Sequence, residues 1–172
     1  NFQRVIARDK KATVAFLCGS ITFNKGWRDK TSAYLQERFP EVQFTFIAAG
    51  IPSLGSVPHA FRVQQDILDK GKVDLLFVEA AVNDRGNGTD SLTQIRALEG
   101  IIRHAKHSNP QMDIVMMAFA DPINIQQYEQ GKIPLKIKNQ ELLAGYYNLP
   151  SINLSKLVRD KIAAKEFTWA DD

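Results

Sequence analysis

The sequence predicts an α/β protein, arranged as a three-layer α/β/α sandwich around a five-stranded parallel sheet. Five apolar runs of strand length alternate with segments of helical character, and short polar or glycine-containing connections join them. This alternation indicates βαβ units, whose right-handed crossovers place helices on both faces of a parallel sheet. The 172 residues contain no internal repeat or linker, so we expect a single domain over residues 1–172.

The first strand is predicted at about 13–18, where an apolar run follows a polar and basic lead-in at 1–12. Glycine and serine then break the run. Between Trp27 and Phe39, apolar and aromatic side chains mix with charged ones, as in a helix on a protein surface. Pro40 ends this helix, because proline cannot continue it.

The second strand, Val42–Ala48, leads into a loop at 49–56 that is rich in small residues and turn formers. A helix is then predicted over Pro58–Asp69, with apolar residues on one side, and Gly71 ends it. This strand and helix form the next βα unit of the pattern.

The third strand is predicted over Val73–Ala81, an almost continuous apolar run that is typical of a central strand covered on both faces. The polar stretch Val82–Gly88 then predicts a loop. Thr89 or Asp90 can cap a following helix that runs to about His107.

The last part of the chain predicts a fourth strand over Ile114–Phe119 and a short fifth strand over Pro150–Leu154. Between them, residues 120–134 contain two prolines and a glycine and are expected to be irregular. Helices are predicted over Leu135–Tyr147 and roughly 155–165.

Composition and charge exclude several classes of function. The net charge is only +3 and the basic residues are dispersed, which argues against nucleic acid as a partner. No stretch has the length of a membrane-spanning helix, and no group of cysteine and histidine has metal-ligand spacing. We therefore expect no membrane insertion, no metal and no cofactor. The single cysteine, Cys18, lies in an apolar strand and is expected to be a small buried side chain.

Three strand ends carry small or polar residues that suit a reactive site. These are Gly19-Ser20 after the first strand, Ala49-Gly50 after the second and Asn83-Asp84 after the third. Because the carboxyl ends of parallel strands meet at one edge of the sheet, these groups are expected to converge there. An oxygen nucleophile with backbone and amide N–H donors around it is what acyl transfer needs.

At these positions the chain resembles the SGNH, or GDSL-like, hydrolases, a family of esterases and acylhydrolases on a flavodoxin-like sandwich. Gly19-Ser20-Ile21-Thr22 resembles the family's first block, although the usual aspartate before the serine is absent. Ala49-Gly50 is similar to the second block, and Val82-Asn83-Asp84 is similar to the third, with Ala81 where a glycine is expected.

The resemblance implies a role for each matching residue. Ser20 would be the nucleophile, and its own backbone N–H would form part of an oxyanion hole. The backbone N–H of Gly50 and the side-chain amide of Asn83 would complete that hole. The family's fourth block, Asp-x-x-His, would supply the acid and base of a catalytic triad.

The fourth block has no complete counterpart in this sequence. The chain ends at Thr168-Trp169-Ala170-Asp171-Asp172, with no histidine following. One expectation is that the chain is cut just before the histidine, with Asp172 or Asp171 as the acid, or with the acid later still. The other is a non-catalytic relative. The first is favoured because the other end, which lacks an initiating methionine, also looks cut.

The three histidines present are not expected to replace the missing base. His104 and His107 fall at the end of a polar helix, far from the proposed edge of the sheet. His59 follows the second block and could border a pocket, but its position favours the first turn of a helix.

Several other polar residues have a structural interpretation. Glu79 is expected to be a buried partner of Arg62 or Arg85, although a functional carboxylate with a shifted pKa is an alternative. Arg62 is four residues from Asp66, so it can pair along a helix or instead face the pocket. We expect Asp84 to cap or brace its loop and Trp27 to pack in the core; Trp27 and Trp169 could alternatively flank a sugar-binding cleft.

The leading hypothesis is a serine esterase that removes a short acyl group, such as acetyl, from a carbohydrate or a small-molecule ester. One alternative is a non-catalytic carbohydrate-binding or interaction domain on the same fold. Another is an anion- or nucleotide-binding flavodoxin-like domain, although neither usual glycine-rich phosphate-binding motif is present. The oligomeric state is left open, and a secreted or periplasmic location is favoured slightly over a cytoplasmic one.

Overall fold

A computed structural model describes residues 1–168 as a five-stranded parallel sheet with helices on both faces. The sheet has the strand order β2-β1-β3-β4-β5, which is the flavodoxin-like order, and every pairing is parallel. This confirms the predicted fold class. The strands β1 to β5 are Lys11–Leu17, Gln43–Ala48, Leu75–Val78, Asp113–Ala118 and Ser151–Asn153.

Nine α-helices surround the sheet within the described residues. In chain order, α1 to α9 are Phe2–Asp9, Ser20–Phe23, Trp27–Arg38, Ser56–Asp66, Ala81–Gly86, Ser91–Ser108, Pro122–Glu129, Leu135–Tyr146 and Leu154–Ala163. A 3-10 turn at Leu68–Lys70 follows α4. No helix of the described part of the chain is both long and apolar enough to cross a membrane.

The sheet separates two apolar cores, and alternation along the strands assigns each side chain to one of them. In β1, Val14 and Phe16 face the core that contains α1 residues, whereas Ala15 and Leu17 face the core that contains α4 and α6 residues. Strand β3 is buried at all four positions, as expected for a central strand covered on both faces.

Two helices lie where the sequence predicted irregular structure. The lead-in at 1–12 contains α1, which buries Phe2, Val5 and Ile6 on one face although its composition is mostly polar. The segment 120–134 contains α7, which begins after Asp121; the Asp121 carboxylate accepts hydrogen bonds from the N–H groups of Ile123 and Asn124.

The polar stretch Val82–Gly88 is also more ordered than predicted. Most of it belongs to the short helix α5, which begins two residues after the third strand ends, so the prediction of a loop was wrong. The strand itself ends at Val78, before the predicted Ala81. Asp90, one of the two predicted caps, does cap α6, since its carboxylate accepts from the Thr93 N–H at 3.0 Å.

The carboxyl ends of β1, β2 and β3 meet at one edge of the sheet, and the connections that leave them build the candidate site. Helix α2 follows β1, the loop 49–55 follows β2, and α5 follows β3. Because β1 lies between the other two strands, its connection is flanked by both of theirs.

Candidate active site

Ser20 is the first residue of α2 and lies three residues beyond the last residue of β1, Leu17. Ser20 is half-buried, whereas the preceding residue, Gly19, is buried. The next turn is closed by hydrogen bonds from Thr22 and Phe23 to the Gly19 carbonyl. The Ser20 hydroxyl has no hydrogen-bond partner among residues 1–168.

Asn83 from α5 lies directly against Gly19. A Cβ placed on Gly19 would lie 2.1 Å from Asn83 Nδ2, so the amide occupies the space that any side chain at position 19 would need. Asn83 Nδ2 also donates to the carbonyl of Leu54 at 2.9 Å. One of its two hydrogens therefore orients the amide and the other is available to a ligand.

Gly50 also packs closely, against the backbone of α2. A Cβ at this position would lie 2.6 Å from the backbone nitrogen of Phe23, so only glycine fits without moving the helix. The flanking N–H groups of Ala49 and Ile51 donate to the β1-side carbonyls of Phe16 and Cys18. The Gly50 N–H lies between them in the chain and forms no backbone hydrogen bond with a described residue.

The structure thus brings Gly50 and Asn83 to the two flanks of the short segment that carries Ser20. The Gly50 N–H donates to no described residue, and the Asn83 amide has one donor to spare. Such an arrangement can present an oxygen nucleophile and N–H donors to one carbonyl carbon and its oxygen. The fourth predicted site residue, Asp172, and its neighbour Asp171 lie outside the described residues.

Asp84 ties α5 to the start of α4. Its Oδ1 accepts from the backbone N–H of Ser56 at 2.8 Å and from the Ser56 hydroxyl at 3.0 Å. Gly55 permits this contact, because a Cβ there would lie 2.3 Å from the same oxygen. Burial raises the pKa of the Asp84 carboxyl, and the hydrogen bonds from Ser56 oppose that rise. The expectation that Asp84 braces its loop is confirmed.

Glu79 is buried two residues before the start of α5 and has a different partner from the ones predicted. Its Oε1 accepts from the backbone N–H of Val82 at 3.0 Å, and neither Arg62 nor Arg85 pairs with it. Burial raises the pKa of Glu79 to about 8, with the Val82 hydrogen bond opposing the rise and the charge of Asp84 adding to it. Glu79 is 1% exposed, and within residues 1–168 it holds the start of α5 rather than a cation.

Arg62 both pairs along its helix with Asp66 and reaches toward the site, the two alternatives that the sequence left open. Its Nε lies 2.7 Å from Asp66 Oδ2, which confirms the i,i+4 ion pair, although the N–H is not aimed at that oxygen. At the same time its Nη1 donates to the carbonyl oxygen of Ala49 at 2.8 Å. Arg62 therefore reaches the second loop of the site. Neither arginine pairs with Glu79, because Arg62 contacts Asp66 and Ala49 and Arg85 contacts Asp121 at 3.2 Å.

None of the three histidines forms a hydrogen bond with Ser20. His59 lies in the first turn of α4, as expected, and is completely buried with its Nδ1 3.4 Å from Arg62 Nη1. Burial and the Arg62 charge lower the pKa of His59 to about 4, so it is neutral at pH 7. His104 and His107 are exposed at the carboxyl end of α6, which leads to the amino end of β4, the opposite edge of the sheet.

Two further side chains match their structural interpretation. Cys18 is completely buried, and this burial raises the pKa of its thiol. Trp27 packs edge-on against Phe16, Phe77 and Phe119 in one core, and its indole N–H donates to Thr22 Oγ1 at 3.1 Å. The described residues contain no group of three or more His, Cys, Asp or Glu that could hold a metal ion.

Sequence reasoning missed the residues that hold the site together through their backbones. The Leu54 carbonyl accepts from Asn83 and the Ala49 carbonyl accepts from Arg62. The backbone N–H of Ser56 donates to Asp84. The only local signal was the richness of 49–56 in glycine and serine, which marks a loop without identifying its partners.

One protein family and several solved structures are similar to this chain. The GDSL-like lipase/acylhydrolase family matches residues 16–172, which is most of the chain. No curated protein matches it.

The similar structures include a two-domain esterase active on acetylated mannans, which is 23% identical with a TM-score of 0.78 over 96% of this chain and 44% of its own. A gut microbial diltiazem-metabolizing enzyme is 18% identical with a TM-score of 0.71 over 92% and 41%. An acetylxylan esterase from Geobacillus stearothermophilus, solved as a catalytic mutant, is 13% identical with a TM-score of 0.68 over 86% and 80%.

These likenesses establish the fold. This chain spans less than half the length of the first two of these proteins, at 44% and 41% of their residues.

Proposed function

Because this chain belongs to the GDSL-like lipase/acylhydrolase family, we propose that it is a serine esterase with Ser20 as its nucleophile. The observation that carries this proposal is the convergence of three strand ends on one serine. Gly50 and Asn83 each pack within van der Waals distance of the segment Gly19–Phe23, and each has a free N–H donor among the described residues.

In the proposed reaction, Ser20 Oγ attacks the carbonyl carbon of a bound ester and forms a tetrahedral intermediate. The negative oxygen of that intermediate receives hydrogen bonds from the Ser20 and Gly50 backbone N–H groups and from Asn83 Nδ2. The alcohol then leaves with a proton, and water hydrolyses the acyl-serine to release the acid and regenerate the hydroxyl.

The proton of Ser20 requires a general base, and His59 is a poor one. Its pKa is lowered to about 4, and its Nδ1 already faces Arg62. We propose that the base is a histidine outside the described residues, oriented by Asp171, Asp172 or another carboxylate, as the family resemblance implies. The protein expressed from its complete gene is therefore the right one to assay.

For the substrate, we propose an ester of a short acyl group, such as acetyl, on a carbohydrate or another small alcohol. The support comes from two similar structures, an esterase active on acetylated mannans and an acetylxylan esterase. The exposed apolar side chains beside the site, Ile21, Phe23 and Ile51, offer a surface for a small acyl group.

The test is hydrolysis of p-nitrophenyl acetate, together with a series of longer p-nitrophenyl esters and an acetylated mannan or xylan. The wild type is expected to hydrolyse the acetate faster than the longer esters. Ser20→Ala is expected to lower kcat by at least about 10³-fold, because the nucleophile and its activation are removed together. Unchanged turnover in Ser20→Ala would contradict the proposal.

A matched control is Ser32→Ala, which changes another half-buried helical serine. The Ser32 hydroxyl donates to the Arg28 carbonyl within α3, and it has no part in the proposed chemistry. Its activity is expected to stay within about twofold of wild type, since surface substitutions of this kind seldom alter stability by more than about 0.5 kcal/mol.

A further inference from the structure

We propose that Arg62 is a positioning residue for the oxyanion hole, acting through the Ala49–Gly50 peptide bond. This inference rests on the proposed function, because it concerns the donor strength and orientation of the Gly50 N–H. It assigns a part in the reaction to a residue that lies on α4, outside all the strand-end motifs.

The geometry of one peptide group links Arg62 to Gly50. The carbonyl of Ala49 and the N–H of Gly50 belong to the same planar trans unit, so they point in opposite directions. Arg62 Nη1 donates to that carbonyl at 2.8 Å. The guanidinium therefore holds the peptide at its carbonyl oxygen, and the Gly50 N–H lies on the opposite side of the same peptide group.

The neighbouring peptide groups show why this one needs a partner from α4. The N–H groups of Ala49 and Ile51 are anchored to carbonyls on the β1 side of the loop. Strand β2 ends at Ala48, and no described backbone group accepts a hydrogen bond from the Gly50 N–H. Arg62 supplies a fixed contact there, and it restricts rotation of the peptide whose N–H is not otherwise held.

The charge of Arg62 should also strengthen the Gly50 N–H as a hydrogen-bond donor. A hydrogen bond from a cation to a carbonyl is stronger than a neutral one, and it polarises the amide so that its N–H becomes a better donor. The side chain is only 13% exposed, which reduces screening of its charge by water. Its positive charge lies at the carbonyl end of the Ala49–Gly50 peptide dipole. In the proposed reaction this charge would favour a negative oxygen at the N–H end.

The surroundings of Arg62 keep its side chain in place. Asp66 lies 2.7 Å from Nε on the same helix, and the buried ring of His59 contacts Nη1 at 3.4 Å. His59 is neutral at pH 7, so it can accept from the guanidinium without repelling it. Helix α4 is in turn held at its first turn by Asp84, which belongs to the same helix as Asn83.

The experiment replaces Arg62 with Met and with Lys in the protein expressed from its complete gene, with p-nitrophenyl acetate as substrate. Loss of a direct oxyanion donor costs about 10² to 10³ in kcat, so loss of its support should cost less. We expect Arg62→Met to lower kcat by roughly 10- to 100-fold with KM changed less than about threefold. Arg62→Lys keeps a cationic donor and should recover a large part of that loss.

Arg103→Met is the matched control, since it removes an exposed arginine from α6 near the opposite edge of the sheet. Its kcat should remain within about threefold of wild type. Unchanged kcat in Arg62→Met would overturn the inference, as would an equal loss of kcat in Arg103→Met. Ser20→Ala is assayed in parallel: if it retains activity the proposed function fails, whereas an inactive Ser20→Ala beside a fully active Arg62→Met defeats only the role of Arg62.

A second readout does not depend on activity. The amide proton of Gly50 is followed by two-dimensional NMR in the wild type and in both Arg62 variants without substrate. Weaker polarisation of the peptide should move this resonance upfield in Arg62→Met, with a smaller shift in Arg62→Lys. If Arg62→Met fails to fold, the Lys variant carries the test alone: its Gly50 amide proton must move measurably from the wild-type position, and an unmoved resonance overturns the inference.

Discussion

At the scale of single residues, the candidate site depends on two glycines that permit close contacts. Gly19 lets the Asn83 amide lie where a Cβ would be, and Gly50 lets the second loop touch the backbone of α2. In both cases the glycine is needed for space. The sequence pattern identified these positions as strand ends, but it gave no sign of which group fills the space beside each.

A first prediction tests whether Asn83 acts from the position beside Gly19. In Gly19→Ala the new methyl group must displace Asn83 Nδ2, which breaks its bond to Leu54. We expect Gly19→Ala and Asn83→Ala each to lower kcat/KM by about 10²-fold, the scale of one lost oxyanion donor. The double variant should lose little more than either single one, because both changes remove the same interaction.

The measurement is a double-mutant cycle on p-nitrophenyl acetate hydrolysis. Gly86→Ala is the control, since a Cβ on this glycine of α5 meets nothing within 4 Å, and its activity should match wild type. Multiplied losses of about 10⁴-fold in the double variant would show that Gly19 and Asn83 act independently.

At the scale of elements, α4 and α5 are joined by one buried carboxylate. Asp84 in α5 caps the N-terminus of α4 from outside the helix, through the N–H and hydroxyl of Ser56. The same pair of helices carries Arg62 and Asn83, so this contact positions two sides of the candidate site at once.

A second prediction concerns this bridge. Asp84→Ala leaves two buried donors of Ser56 without an acceptor, and we expect the free energy of unfolding to fall by about 2–4 kcal/mol. Asp84→Asn retains an acceptor oxygen and removes a carboxyl whose pKa burial has raised. This variant should therefore lose clearly less free energy of unfolding than Asp84→Ala. Urea unfolding of both variants measures the difference, and equal losses would mean that the hydrogen bonds to Ser56 do not provide the stability.

At the scale of the whole molecule, two buried groups make stability depend on pH in opposite directions. Burial raises the pKa of Glu79 to about 8 and lowers that of His59 to about 4, from ordinary values of 4.5 and 6.5. The folded state holds the Glu79 proton more tightly than the unfolded state does, so stability falls as pH rises from 4.5 to 8. For His59 the unfolded state binds the proton more tightly, so stability falls as pH drops from 6.5 to 4.

A third prediction follows from these signs. The contributions of Glu79 and His59 to the free energy of unfolding should cancel between about pH 4.5 and 6.5, and the Glu79 contribution should lower it between pH 6.5 and 8. Each group changes the free energy of unfolding by at most about 1.4 kcal/mol per pH unit. Glu79→Gln keeps an acceptor for the Val82 N–H and should flatten the fall above pH 6.5.

Urea unfolding at half-unit intervals from pH 5 to 9 checks this prediction. The difference between Glu79→Gln and wild type should be small at pH 5, grow in favour of the variant with rising pH, and level off above about pH 8. A difference that does not change with pH would mean that Glu79 titrates alike in the folded and unfolded states.

The elements that the sequence predicted best are those with a strong apolar pattern. Strand β3 and helix α6 have long, clear apolar patterns and were identified, although the strand is shorter than predicted. Helices α1 and α7 were missed because few apolar positions, proline and polar side chains obscure their buried faces. Helix α5 was read as a loop for a similar reason, since its polar residues are used for contacts between loops.

The sequence alone was enough for the fold class, the three strand ends and the family resemblance, because alternation and apolar runs report which backbone segments are buried. Only the tertiary structure decided that the Asn83 amide packs against Gly19. It also decided that the Asp84 carboxylate accepts from Ser56 and that Arg62 donates to the Ala49 carbonyl. These contacts join groups left unpaired where strands and helices end. Which of those groups meet depends on how the loops pack at the edge of the sheet, and local patterns carry no record of that packing.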